Sequence, residues 1–452
     1  MRIKILLIST FVLFTIYLIS SYIGFGKIFE KIGLKETEKE ETITLNYWGT
    51  LFPKEVMNEV ISDYQAKNPQ VKIIYTENTA ENVSEYRTKL FARLYKDKKT
   101  EEEKKALPSI FEIHSTWVAD LITKISLENE AITQKEFDSR FYKIALDQNV
   151  STSGRVVAVP LNYDGLVLLY NTQDFKDAGI GEINTWEDLK TAAIKLTVPS
   201  TKTSQGHAGV ALGTTTNIAN YTDVLGLMLK QNQVQIPDRL NGQAALEVFR
   251  NYIAYNTVYK TWNAGFTSSI ADFAAENVSM IFIKASDIPK VLKINPSLKF
   301  EVLAPPQLPL LEGGVTKVGY ASYYSATVYQ DLSSKQQKVA WDYLNWLTQK
   351  EQQIKLNDLM IKYNRFPHMY SNKEINSRYS TSEYKKYFEP ALKYATQSAS
   401  NEFAGGVGNI AYEKLLKTVV DELSQSSAAN DKDGLEILNE FKTNFLKLKK
   451  NK

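Results

Sequence analysis

The stretch from Ser153 to Thr197, SGRVVAVPLNYDGLVLLYNTQDFKDAGIGEINTWEDLKTAAIKLT, decides how the rest of the chain is read. It opens with a short polar turn and an apolar strand ending at Pro160. A loop, Leu161 to Asp164, leads to a second strand, Gly165 to Tyr170, and then to a capped helix. Thr185 and Asp188 carry the spacing of a capping box, which assigns Trp186 to packing beneath the helix start. Toward the N-terminus, Ile43–Trp48 alternates as a strand should. Pro53 then opens a helical pattern with Val56, Val60, Ile61 and Tyr64 on one stripe. The helix ends at Asn68-Pro69, and Val71–Tyr75 is the next strand. Strand, helix and strand in this order predict a parallel α/β sheet.

At 452 residues, the chain is long enough for two or three domains and a large buried core. The net charge is +3, and lysines alternate with acids, so no one-signed face is available for nucleic acid. The absence of cysteine excludes disulfides, thiolate metal sites and cysteine nucleophiles. Arg2 and Lys4 precede an uninterrupted apolar run, Ile5–Phe25. Roughly 21 residues at ~1.5 Å each span about 31 Å, the thickness of a bilayer core. Ser20, Ser21 and Gly24 form no small-residue cleavage pattern, so Met1–Gly26 reads as an uncleaved signal anchor. Residues 27–42 follow as a charged spacer.

The order Gly154…Ala158-x-Pro160, the Tyr163-Asp164 loop, Leu168-x-Tyr170-Asn171, Asp174-Phe175 with Ala178-Gly179, and TWEDL at 185–189 resembles the first inter-lobe crossover of family 1 extracellular solute-binding proteins. These are the maltose-binding-protein-like sugar receptors of ABC importers. Other segments match in order: Trp48-Gly49 with Asn68-Pro69-Gln70-Val71-Lys72-Ile73, then Leu107–Leu121, then Phe273–Phe282 and Phe300–Pro309. The run Gly319–Asn364 completes them. The resemblance implies an α/β, two-lobed periplasmic-binding-protein-like fold of type II, with lobes joined by crossover hinges and preceded by the transmembrane anchor. Residues 43–160 and 285–328 would form lobe 1, and residues 161–284 and 329–452 lobe 2. Crossovers are expected near Pro160, Lys284 and Tyr329. It further implies a monomeric receptor on the extracellular face of the membrane, closing on a small solute and docking on permease subunits, with no metal or cofactor.

Catalytic motifs are missing from the sequence. His114, His207 and His368 are far apart, and no nucleophile elbow, phosphate loop or dinucleotide fingerprint occurs. Gly405-Gly406-Val407-Gly408 reads as a turn and helix start. Aromatics are the informative class, because a sugar presents an apolar ring face and a polar rim that Tyr and Trp match. The candidates lie just after strands, where α/β proteins bind ligands. They are Trp48, Trp117 with His114, Tyr163 with Asp164, Tyr221, Trp262, Tyr320, Tyr323 and Asn409. Trp341 and Trp346 fall within an amphipathic helix and read as core.

One departure concerns the solute. Where sugar-binding members carry a tryptophan after the segment matching Phe273–Phe282, this chain has Ile283-Lys284-Ala285-Ser286. A lysine there reaches a hydroxyl-rich or acidic ligand, or faces solvent. The alternatives to an importer receptor are a membrane-tethered sensor, a carbohydrate-active enzyme, and a scaffold that kept the fold without the ligand.

Overall fold

Ten strands are ordered into two separate sheets in the computed structural model, which describes residues 42–78, 83–97, 99–201, 206–397, 410–425 and 431–450. The strands are β1 (Ile43–Gly49), β2 (Val71–Glu77), β3 (Ile110–His114), β4 (Val159–Pro160), β5 (Asn162–Asn171), β6 (Met280–Lys284), β7 (Phe300–Leu303), β8 (Ala321–Ser322), β9 (Tyr324–Val328) and β10 (Met369–Tyr370). The first sheet runs β2-β1-β3-β9-β4. Its β1 pairs parallel with both β2 and β3, as strand–helix–strand connections require. The second sheet is built around β5, which pairs antiparallel with β6, β7, β8 and β10.

β5 is buried along nearly its whole length, and its continuous apolar run Leu166–Leu169 follows from coverage on both faces. The helix Lys54–Lys67 packs on β2, and the helix Lys385–Leu392 packs on β5 and β7. Thr185 caps the helix Trp186–Leu196 through the expected box, and Trp186 donates from Nε1 to Gln231 at 2.7 Å and stacks on Phe282.

The two sheets are joined by a ribbon of two antiparallel segments. Val159 pairs with Ala326 and Pro160 with Ser325 in the first sheet. Beyond them Leu161 N–H donates to Tyr324 O at 2.8 Å, and Asp164 pairs with Ser322 in the second sheet. The crossover expected near Pro160 is therefore present, while the one expected near Lys284 is absent. After β6 the chain turns through Ala285–Asp287 into the helix Ile288–Ile294 and returns as β7 to the same sheet. The apolar strand that Lys284 ends has its hydrogen-bonding partner in β5, and this keeps β7 and β8 out of lobe 1. The expected assignment of residues 329–452 to lobe 2 also changes. Helices Ser334–Leu347 and Lys350–Lys362 pack on β9, β1 and the helix Lys54–Lys67. The chain crosses back only before β10, whose Met369 pairs with Tyr163.

The apolar stretch between Gly206 and Gly213 forms no regular strand. Ala208 and Ala211 hydrogen-bond alongside Asn277–Met280, but Gly209 lies against the Ala193 carbonyl and Gly213 has φ of +96°. The signal anchor 1–26, the spacer apart from Thr42, and the Gly405–Gly408 turn lie outside the described residues. Among the described residues no helix is long and apolar enough to cross a membrane.

Candidate functional site

A cavity of about 460 Å³ opens where the two sheets meet at the ribbon. It lies at the C-terminal end of β3, the end at which parallel strands leave their helix-facing loops free to hold a ligand. A larger cavity, about 880 Å³, is lined by Thr44, Asn46, Leu107, Ser109 and Tyr329, at the opposite end of the same strands. The inter-sheet cavity has His114 and Tyr324 on the first-sheet side. Asp164, Lys284, Tyr221 and Glu413 come from the other lobe.

Its floor is charged and buried. Lys284, the last residue of β6, places Nζ 3.8 Å from Asp223 Oδ1. Asp164 on β5 accepts from the Ser286 hydroxyl at 2.6 Å and from its N–H at 3.1 Å. Burial pushes the Asp164 carboxyl up to about 6, against the pull of Lys284 and Ser286. Burial likewise raises Asp223. It works against the Lys284 ammonium too, but the fields of Asp223, Asp164 and Asp287 outweigh it and hold that group above its ordinary value. Lys284 is thus a charged donor held in place by carboxylates. The sequence marked this residue only as a departure.

Of the expected site residues, His114, Asp164, Tyr221 and Tyr323 line the cavity. Tyr221 donates to the Glu413 carbonyl at 3.3 Å and Tyr323 to Gln148 Oε1 at 2.6 Å, which fixes both rings. The others do not line it. Tyr163 neighbours Asp164 on a strand, so it points to the opposite face and packs on Tyr142 at 4.9 Å. Trp117 is fully buried in a second core among Tyr86, Phe91 and Leu121, and Trp48 joins that core with Lys89 over its ring. Trp262 is fully buried, stacks on Phe266 at 4.4 Å, and donates to Asn217 Oδ1 at 2.9 Å. It therefore supports the loop carrying Thr215 and Thr216 rather than the cavity itself. Tyr320 lies over Gly226, where an added Cβ would come within 2.9 Å of its ring. Asn409 lies outside the described residues.

Residues the sequence did not single out include Asn162, Asn220 and Ser286. The polar run Thr214–Tyr221 ahead of an apolar helix was the available signal for Asn220. Ser286 and Asn162 had none, because Ser286 is placed by the pairing of β6 with β5 and Asn162 by the returning segment at Tyr324.

Among the described residues no cluster of three or more His, Asp or Glu could hold a metal ion. His207, Ser279 and Asp174 do meet: the Ser279 hydroxyl donates to Asp174 Oδ2 at 2.7 Å and lies 2.7 Å from His207 Nε2. Ser279 is fully buried, and its hydroxyl donates to the aspartate, which itself lies 3.4 Å from the same His207 Nε2, so the three lack the nucleophile–base–orienter order of a triad. The trio ties the Val198–His207 bridge to β6.

Residues 35–381 match the sequence model of a family described as bacterial extracellular solute-binding protein. Solved structures share the fold. An ABC substrate-binding protein from Listeria monocytogenes in complex with cycloalternan superposes with a TM-score of 0.64 at 15% identity, covering 90% of this chain and 99% of that one. A cyclic alpha-maltosyl-1,6-maltose binding protein from Arthrobacter globiformis gives 0.65 at 16%, covering 88% and 97%. UgpB from Mycobacterium tuberculosis, in complex with glycerophosphocholine, gives 0.63 at 12%, covering 90% and 99%. At these identities the likeness speaks for the fold alone. No curated protein is similar enough to match the chain.

Proposed function

The chain belongs to the family of bacterial extracellular solute-binding proteins, and from that premise we propose that it is the receptor of an ABC importer, closing on a sugar or oligosaccharide between its lobes and delivering it to a membrane permease. The observation that carries this reading is the cavity at the hinge, with polar and aromatic side chains contributed from both sides. A solute touching both lobes binds the closed form more tightly than the open one, and so shifts the molecule toward it. Its volume suits a small saccharide, since ligand pockets run from about 300 to 1,000 Å³. The apolar run Ile5–Phe25 would tether the receptor near its permease and raise its effective concentration there.

Thermal unfolding against mono- and oligosaccharides, amino acids, polyamines and anions tests the proposal. A solute at about 100 times its Kd adds about 2.7 kcal/mol, which is a readable upward shift. A shift with a saccharide supports a sugar receptor. A shift with an amine or anion alone keeps the receptor and discards the sugar. Silence from every solute removes the importer role and leaves the sensor or the scaffold without a ligand.

A further inference from the structure

Two polar atoms in the cavity walls are left over. His114 Nε2 and Asn220 Oδ1 are both buried and have no hydrogen-bond partner among the described residues, and both residues line the cavity. They stand on opposite sides of the hinge: His114 ends β3 in the first lobe, and Asn220 precedes the helix Tyr221–Gln231 in the second.

The bonds around them settle their character. Thr116 N–H donates to His114 Nδ1, so that nitrogen is the acceptor of a neutral ring and the proton sits on Nε2. Burial and the nearby Lys284 both hold the imidazole well below its ordinary pKa, so the ring stays neutral. Asn220 donates from Nδ2 to Asp223 Oδ2 at 3.3 Å, which leaves Oδ1 as an acceptor. One wall therefore offers a donor and the other an acceptor. A carboxylate or phosphate oxygen accepts only, so neither group itself can meet Asn220 Oδ1, and rejection of a sugar that carries one rests on the charge of the cavity walls. An ammonium donates only and leaves His114 Nε2–H unmet. A solute with several hydroxyls meets both, since each hydroxyl donates and accepts. The charges agree. Asp164, Asp223, Asp287 and Glu413 surround two ammonium groups, Lys284 and Lys290, so an anion entering meets a surplus of like charge.

We propose that His114 Nε2–H and Asn220 Oδ1 are the solute's hydrogen-bond partners on the two lobes, and that the cavity takes neutral, hydroxyl-rich saccharides and rejects acidic ones. This rests on the receptor reading above and names its specificity.

The test is isothermal titration of the full 452-residue chain with maltotriose, mannobiose and xylobiose. Digalacturonate, glucose 6-phosphate and a glucosamine dimer serve as charged comparisons. At least one neutral saccharide is expected to bind, with the acidic ones weaker by 100-fold or more. His114→Ala and Asn220→Gly should each weaken the neutral saccharide about 10- to 100-fold. His114→Gln, which restores an N–H donor, should recover part of that loss, and this guards against a fold defect in the alanine variant. Glycine keeps the left-handed φ of 56° at position 220 without strain. A charged sugar that binds as well as its neutral counterpart, or neutral binding indifferent to both variants, overturns this inference and leaves the receptor standing. Silence from every solute overturns both.

Discussion

Glu112 takes three hydrogen bonds inside the first lobe: the Tyr47 hydroxyl at 3.0 Å on one oxygen, and the N–H groups of Thr50 and Leu51 at 2.7 and 2.8 Å on the other. Burial nevertheless pushes its carboxyl up to about 7. A carboxyl raised in the folded state favours folding fully below its unfolded pKa, and that contribution is lost as pH rises from about 4.5 to 7. The loss is on the order of 3 kcal/mol. Glu112→Gln should therefore flatten the fall in urea midpoint between pH 5 and pH 8. Asp164 and Asp223, also raised by burial, act equally in both proteins, so equal slopes would refute the assignment. The tryptophans teach the limit of reading residue types. Trp117 and Trp262 were chosen as sugar platforms because aromatics in polar loops suit a sugar, but composition cannot say which side of a loop a ring occupies. Both rings are fully buried. Trp262→Ala is expected to cost about 3–5 kcal/mol in denaturant unfolding. A variant of unchanged stability that merely lost solute binding would contradict this.

Among the elements, the helix Trp186–Leu196 was legible to its first residue, because a cap is a local device. Thr185 accepts from Asp188 N–H, and Asp188 accepts in return from Thr185 N–H at 2.8 Å. Thr185→Ala should cost about 1 kcal/mol, seen as a lower urea midpoint with an unchanged slope. The segment after Gly206 is not legible in this way, for the converse reason. Its apolar run has the composition of a strand, but its path is set by close backbone approach to another element. A Cβ at Gly209 would lie 1.9 Å from the Ala193 carbonyl oxygen. Gly209→Ala must displace the helix end there, and a well-expressed variant of native stability would exclude that contact. Strand ownership was harder still. β6 is as apolar as a crossover strand should be, yet whether the chain then changes sheets depends on the partner its edge finds, and that partner, β5, is more than 100 residues away in sequence.

For the whole molecule, the ribbon of Val159–Gly165 against Ala321–Ala326 joins the two sheets, and on the proposed receptor reading they would move as units about it. Saturation with a bound saccharide should close them, lowering the radius of gyration in small-angle X-ray scattering. An unchanged value with proven binding would mean that the lobes are already closed without solute. The sequence by itself determined the family, the order of its elements and the crossover at Pro160, because turn chemistry, caps and strand periodicity are all written within a few residues. It also named His114, Asp164, Tyr221 and Tyr323, which line the cavity from the end of β3, from within β5, from a helix start and from between β8 and β9. Only the tertiary structure decided that Lys284 stands between Asp223 and Asp164, that Trp117 and Trp262 face cores, and that His114 and Asn220 oppose each other across the hinge. Those facts depend on which segments pair across hundreds of residues and on the burial that pairing imposes, and neither is a local property of the chain.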